Sequence, residues 1–404
     1  MDRSQYFQRF SYFLCGVALA GNLLGGALVD AATRYTATMG SDTNPGTEAS
    51  PFRTVKKGVS GLKPGDTLYV KSGTYAEGLD NIPGGSSWSV PVTIAVYPGD
   101  SVTLKPPAGT ARVLHFQGAA KQYISIEGFT LDAANVTYDA VKITSSSSGI
   151  AHHIRLRNCE VRNAPQSGIL VSLGSQYNEF FNLNVHDNGS SSFHAGLYIQ
   201  GSYTVLESSA VYDNQGGVQF WYDGGGVHHN VARNNKIYDN PFYGLVLAKG
   251  QGNIAYNNLI WGNKDGLKVM GGSDGALVYN NTVYANRSYG ISIGSNSYNT
   301  QVVNNITYKH AFNGAYDLYD GGPGTVLANN LVKQDPKFVN ATAQDFRLQV
   351  GSPAIDQGQT LGLVTTDYAG APRPQANAYD IGAYEYGAIS QLAQPIQPRV
   401  IAPY

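Results

Sequence analysis

The sequence predicts an all-β solenoid, a chain wound into stacked coils with one repeat per coil. Three observations predict it. The first is a line written repeatedly, a glycine followed by an apolar, a variable and an apolar residue: Gly196-Leu197-Tyr198-Ile199, Gly217-Val218-Gln219-Phe220, Gly244-Leu245-Val246-Leu247, Gly266-Leu267-Lys268-Val269 and Gly290-Ile291-Ser292-Ile293. Period two within a short run is the mark of a strand with one buried face, and the glycines advance by steps of 21, 27, 22 and 24 residues. The second is an interleaved line ending in asparagine, at Asn163, Asn188, Asn214, Asn240, Asn263 and Asn286, with steps of 25, 26, 26, 23 and 23. Two ladders with a common step place one coil in each repeat. An asparagine suits such a corner because it tolerates left-handed backbone and its amide can bond the equivalent amide of the next coil. The third observation is composition: 48 glycines and 28 tyrosines, but 2 cysteines and 14% charged residues among 404. Stacking and hydrogen bonds, not disulfides, must hold such a chain together.

Taken in order, residues 1–32 read as a secretory signal peptide. Arg3 and Arg9 precede an apolar run from Phe10 to Val29, and Ala31-Ala32 supplies the small residues of a cleavage region. The run is almost long enough to span a bilayer, so a retained anchor is the alternative. Cleavage leaves Cys159 as the remaining cysteine and no stable association with a membrane. Residues 33–80 form an N-terminal cap and first coil. Phe52, Val55, Val59 and Leu62 recur at helical spacing, giving a short helix to cover an open sheet edge, and Thr67–Val70 is the first coil strand. Coils fill residues 81–332, with further strands at Val92–Val96, Ile124–Ile126 and Ala140–Ile143. Residues 333–387 are read as a C-terminal cap and the proline-bearing residues 388–404 as a flexible tail. A net charge of −1 with no basic stripe argues against nucleic acid as a partner, and a single solenoid is read as a monomer.

The segment Tyr35–Gly78 contains a run from Gly40-Ser41-Asp42-Thr43 to Ser50-Pro51-Phe52, then Pro64-Gly65-Asp66-Thr67 and Ser72-Gly73-Thr74-Tyr75. It resembles the start of polysaccharide lyase family nine. The repeat as a whole resembles the right-handed, single-stranded parallel β-helix proteins of the pectate-lyase superfamily. The segment Asp335–Tyr384 is similar to the C-terminal end of exported bacterial β-helix proteins. The resemblance implies a secreted or cell-surface protein whose partner is a polysaccharide, acidic in the family-nine case. It also implies a lysine that removes the proton at carbon five of a uronate before β-elimination, with calcium as the supporting cation and no organic cofactor. Adjacent aspartates bind calcium in that family; the corresponding coil here reads Arg233-Asn234-Asn235.

The residues themselves place candidates on one outer face. With Leu267 and Val269 inward, Lys268 and Met270 point outward. The same alternation sets Tyr198, Gln219, Val246 and Ser292 in the row of Lys268, and Gln200, Trp221, Ala248 and Gly294 in the row of Met270. Aromatic rings pack on the C–H faces of sugars and amides bond their hydroxyls, so Tyr198, Gln219, Trp221, Lys249 and Met270 are candidate substrate contacts. Lys268 is the candidate base, with Asp265 as helper and Lys249 as rival; an amine acts as a base near neutral pH only where its pKa is lowered. The plainer reading of an outward lysine is a solvated side chain. His194, with Tyr198 beside its strand, is a second candidate acid or base. Asp187, Asp213 and Asp239 precede ladder asparagines and form a row; Asp213, Asp239 and Asp223 are the candidate calcium ligands, against the plainer role of turn aspartates. His152-His153 and His228-His229 lack the spacing of a zinc site. An epimerase or glycoside hydrolase on the same face, or a non-catalytic glycan-binding protein, are the alternatives to a lyase.

Overall fold

The computed structural model describes residues 31–310 and 316–387; the expected signal peptide up to residue 30 and the tail 388–404 lie outside them. Among the described residues three parallel sheets run the length of a solenoid. The first has twelve strands, from Thr33–Thr36 to Val326–Ala328, and the second eleven, from Gly73–Tyr75 to Leu331–Val332. The third carries the strands that begin with the glycine line, among them Val141–Ser146, Leu197–Ile199, Val218–Phe220, Tyr243–Ala248, Asp265–Met270 and Ile291–Ile293. From Val92–Val96 to Leu318–Asp320 each coil contributes one parallel strand to each sheet. The inward residues of the third sheet, such as Leu245, Leu247, Leu267, Val269, Ile291 and Ile293, are fully buried in one continuous core. The helical spacing at Phe52–Leu62 yields a helix at Val55–Val59, whose Val55 and Val59 join that core beside the first two strands of the first sheet.

The corner between the second and third sheets explains the two ladders together. Asn188, Asn214, Asn240 and Asn263 each donate through Nδ2 to the next ladder amide oxygen, at 2.9–3.3 Å, and that oxygen also accepts a backbone N–H. All are buried and therefore satisfied, as buried amides must be. The glycines leave room for them. A Cβ at Gly196, Gly244 or Gly266 would lie 2.9 Å from Nδ2 of Asn214, Asn263 or Asn286. One residue per corner does adopt left-handed backbone, but it is the residue before the ladder asparagine: Asp187, Asp213 and Asp239 have φ of 56°, 50° and 52°. Asn163 belongs to this left-handed row (φ 63°), not to the ladder. The ladder place in its coil is held by Ala164, whose N–H donates to Asn188 Oδ1 at 2.9 Å. A second buried ladder, through Asn235, Asn258, Asn281, Asn305 and Asn330, staples the corner between the first and second sheets.

Residues 333–387 do not simply close the last coil; they lie along the flanks of the solenoid. Phe338, Phe346, Leu348, Ala354 and Ile381 pack with Leu259, Trp261 and Ile306 from the outer face of the second sheet. Val364 packs with Val231, Tyr256, Tyr279 and Val303 from the outer face of the first. Left-handed corner asparagines pin this segment: Nδ2 of Asn257, Asn304 and Asn329 donates to the carbonyls of Thr366, Gln359 and Gln357 at 2.8, 2.8 and 2.9 Å. Fully buried Arg373 pairs with Glu385 and donates to Asn257 Oδ1. These flank contacts fall on the first two sheets, and the outer face of the third carries the candidate residues.

Candidate functional site

Strand register sets the outer rows of the third sheet. His115, Lys142, Leu170, Tyr198, Gln219, Val246, Lys268, Ser292 and Tyr319 are successive partners, one per strand. The expected row of Tyr198, Gln219, Val246, Lys268 and Ser292 is therefore a real one. Ala248 and Met270 are likewise partners in the neighbouring row.

Lys268 and Asp265 meet. Nζ donates to Asp265 Oδ2 at 2.9 Å, with the lysine side chain 28% and the aspartate 12% exposed. Asp265 sits in register with Tyr243 of the preceding strand, while Tyr289 packs against Tyr316 and Tyr319 with ring centroids 4.8 and 6.0 Å apart. A half-buried ion pair beside tyrosines is a surface that can hold a sugar ring and its charged substituent together.

A second group forms one to three strands earlier. Trp221 Nε1 donates to Asp223 Oδ1 at 3.0 Å, and the Lys249 ammonium stands 5.7 Å from the Trp221 ring centroid. Burial pushes the Tyr198 phenol above its ordinary pKa, so it remains a hydroxyl donor. Lys249 is thus a neighbour of Trp221, in left-handed backbone (φ 59°).

His194 and the calcium candidates stand apart from the Asp265–Lys268 pair. His194 lies in the corner before Leu197–Ile199, three strands or roughly 14 Å along the sheet from Asp265. Its Nδ1 faces the Ser190 N–H and Ser191 Oγ, both at 3.3 Å. Burial lowers its pKa, opposed by the charge of Asp139, so the charged group that acts on it is Asp139 and not Asp265 or Lys268. The calcium trio is divided as well. Asp239 is raised in pKa by burial and by Asp213, which places those two in one row, but Asp223 lies beyond the opposite end of the strand Val218–Phe220 and is engaged by Trp221. Among the described residues no group of three His, Cys, Asp or Glu side chains is gathered as a metal site, so Asp213, Asp239 and Asp223 do not fit calcium as a set.

The structure adds residues that the sequence reading passed over. Lys142 occupies the Lys268 row at the other end of the sheet, in register with His115. Asp139 and Lys142 repeat the spacing of Asp265 and Lys268. Burial lowers the pKa of Lys142, with Asp139 opposing and Arg112 adding to the shift. The four-residue match of Asp139-Ala140-Val141-Lys142 to Asp265-Gly266-Leu267-Lys268 was the available signal.

A model described as "Pel9A-like, right handed beta helix region" matches residues 34–243, more than half of the chain. The chain belongs to this family. A model for right-handed β-helix regions matches residues 174–332, so the two together span both ends of the third sheet. Among solved structures, pectate lyase Pel9A aligns with a TM-score of 0.64 at 16% identity, covering 88% of this chain and 97% of that one. The structure of XylC in complex with xylose aligns with a TM-score of 0.62 at 12% identity, covering 89% and 99%. At these identities the likeness is one of Pel9A-like fold. The uncharacterized protein YwoF of Bacillus subtilis (strain 168) is 28% identical over 132 residues, 32% of this chain and 28% of its own length. The match therefore spans little more than a quarter of that relative.

Proposed function

We propose that this protein acts outside the cell on an acidic polysaccharide laid along the third sheet, and cleaves it by β-elimination at Lys268. The observation that carries the reading is the half-buried Asp265–Lys268 pair in a row of tyrosine and amide side chains. Both structural neighbours are tied to a carbohydrate, a pectate lyase in one case and a complex with xylose in the other, which supports a glycan ligand. Among the described residues no helix is long and apolar enough to cross a membrane.

In this reading a bound glycan dries the pair. Ion pairs lose their stabilisation when water leaves, and the neutral acid–amine form becomes the cheaper one. Lys268 then has a lone pair for the proton at carbon five of a uronate. Breaking the bond from carbon four to its glycosidic oxygen forms the carbon–carbon double bond, and protonated Asp265 is a proton source for the departing oxygen. No step is assigned to calcium.

Purified protein incubated with pectate, alginate and other acidic glycans, with calcium or with chelator, tests the proposal through the ultraviolet absorbance of the unsaturated product. A signal that Lys268→Ala abolishes, by a hundredfold or more, supports it. A signal that survives moves the chemistry to Lys249 or His194. The second reading is a glycan-binding protein without catalysis, favoured by the 2.9 Å hydrogen bond that ties Lys268 Nζ to Asp265. Retention on a glycan column with no absorbance change would establish it.

A further inference from the structure

Two Asp-x-x-Lys units lie on the third sheet in the same two rows, yet their lysines are held differently. Lys268 donates to Asp265 at 2.9 Å. In the other unit Asp139 is drawn elsewhere: Oδ1 accepts the Ser167 N–H at 3.2 Å, and Oδ2 faces Arg112 Nε at 3.6 Å. Asp139 is 2% exposed, and both Oδ2 and the Arg112 Nε are buried without a hydrogen bond. Lys142 has no hydrogen-bond acceptor among the described residues, although it is half-buried, and His115 stands beside it in register. Arg112 otherwise lies over the Tyr138 ring, 5.0 Å from the centroid. Asp80, exposed and in line with His115, and buried Asp139 balance the two cations in number, but neither accepts a hydrogen bond from Lys142, whose N–H donors stay unused.

A half-buried ammonium with no hydrogen-bond acceptor is costly, and an anion from outside would satisfy it. We infer that Arg112 and Lys142 form a carboxylate-binding subsite at the N-terminal end of the groove, five strands from Lys268. The inference rests on the acidic-glycan reading above and adds the minimum size of the ligand. Five strand spacings are about 24 Å, so the recognised chain carries carboxylates several sugars apart, one at each end of the span. Short acidic oligosaccharides reach only one end.

The test compares acidic oligosaccharides of increasing length, alongside neutral ones, for binding and for cleavage by the wild-type protein, Lys142→Met, Lys142→Arg and Lys268→Ala. Lys142 is partly exposed, so its variants are expected to fold, and thermal melts check this. The expected result is about a tenfold loss of affinity in Lys142→Met for long acidic chains, with no change for short or neutral ones and recovery in Lys142→Arg. Equal affinity of Lys142→Met and wild type for every length would overturn the subsite while leaving the acidic-glycan reading in place. A fall in kcat without a change in affinity would also overturn it, making Lys142 a base. A wild-type protein that binds none of the acidic glycans would remove the glycan reading, and this subsite with it.

Discussion

His310 stands where the corner ladder expects an asparagine, and its ring does the same work. Nδ1 accepts the Asn286 N–H at 3.0 Å, Nε2 meets Thr307 Oγ1 at 3.1 Å, and burial lowers the pKa from 6.5 to about 4. The folded chain therefore refuses a proton that the unfolded chain accepts between pH 6.5 and 4. The contribution to stability is fully present above pH 6.5 and lost as pH falls through that window, by up to about 3 kcal/mol. Replacing the ring with an amide, His310→Asn, keeps the acceptor and removes the titration. Urea unfolding at pH 7 and pH 4.5 should show a smaller difference for the variant than for the wild type; an equal difference would place the acid sensitivity elsewhere.

At the scale of the element, a coil is a strand plus a corner in which glycine and asparagine fit each other. Gly244→Ala puts a Cβ 2.7 Å from Ile260 Cγ2, 2.8 Å from the Gly266 carbonyl and 2.9 Å from Asn263 Nδ2. Neither backbone nor a bonded amide can yield cheaply, so the expected cost is about 2–3 kcal/mol in chemical denaturation. Removing the amide itself, Asn258→Ala, leaves the Asn235 N–H and Nδ2 without their shared acceptor and should cost a similar amount. The same fit explains what could be read in the sequence. Where asparagine holds the ladder, glycine must face it, and the lines at Gly196 through Gly290 stand out. In the earlier coils alanine holds the ladder place at Ala164, so Ala140 can replace glycine before Val141. The signature fades there, Asn163 passes for a ladder member, and Lys142 goes unseen although its row was determined. The partners of His194 and Asp223, Ser190 and Ser191 for one and Trp221 for the other, were not legible for another reason. Periodicity distinguishes inside from outside, whereas the neighbours a corner side chain meets depend on how each corner turns.

For the whole molecule, the C-terminal segment and the coils form one folding unit joined at Arg373. Its guanidinium is fully buried, pairs with Glu385 and bonds the corner amide of Asn257. Arg373→Ala strands the carboxylate of Glu385 in the interior, at a cost of about 3–5 kcal/mol. It should loosen residues 333–387 before the coils, uncovering Trp261 and Tyr256. Limited proteolysis is expected to cut this segment first, with tryptophan fluorescence shifting to the red while the β-sheet circular dichroism persists. Simultaneous loss of both signals would show that the coils cannot stand without their flank.

The common register of the third-sheet rows makes distance along the groove a count of repeats. Each coil depends chiefly on its two neighbours, so duplication or deletion of a whole coil between residues 169 and 247 changes the separation of Lys142 and Lys268 by one strand spacing, about 4.8 Å. A gene can thus adjust the gauge of this protein in whole steps, without redesigning either end, and the preferred length of its ligand becomes a heritable integer.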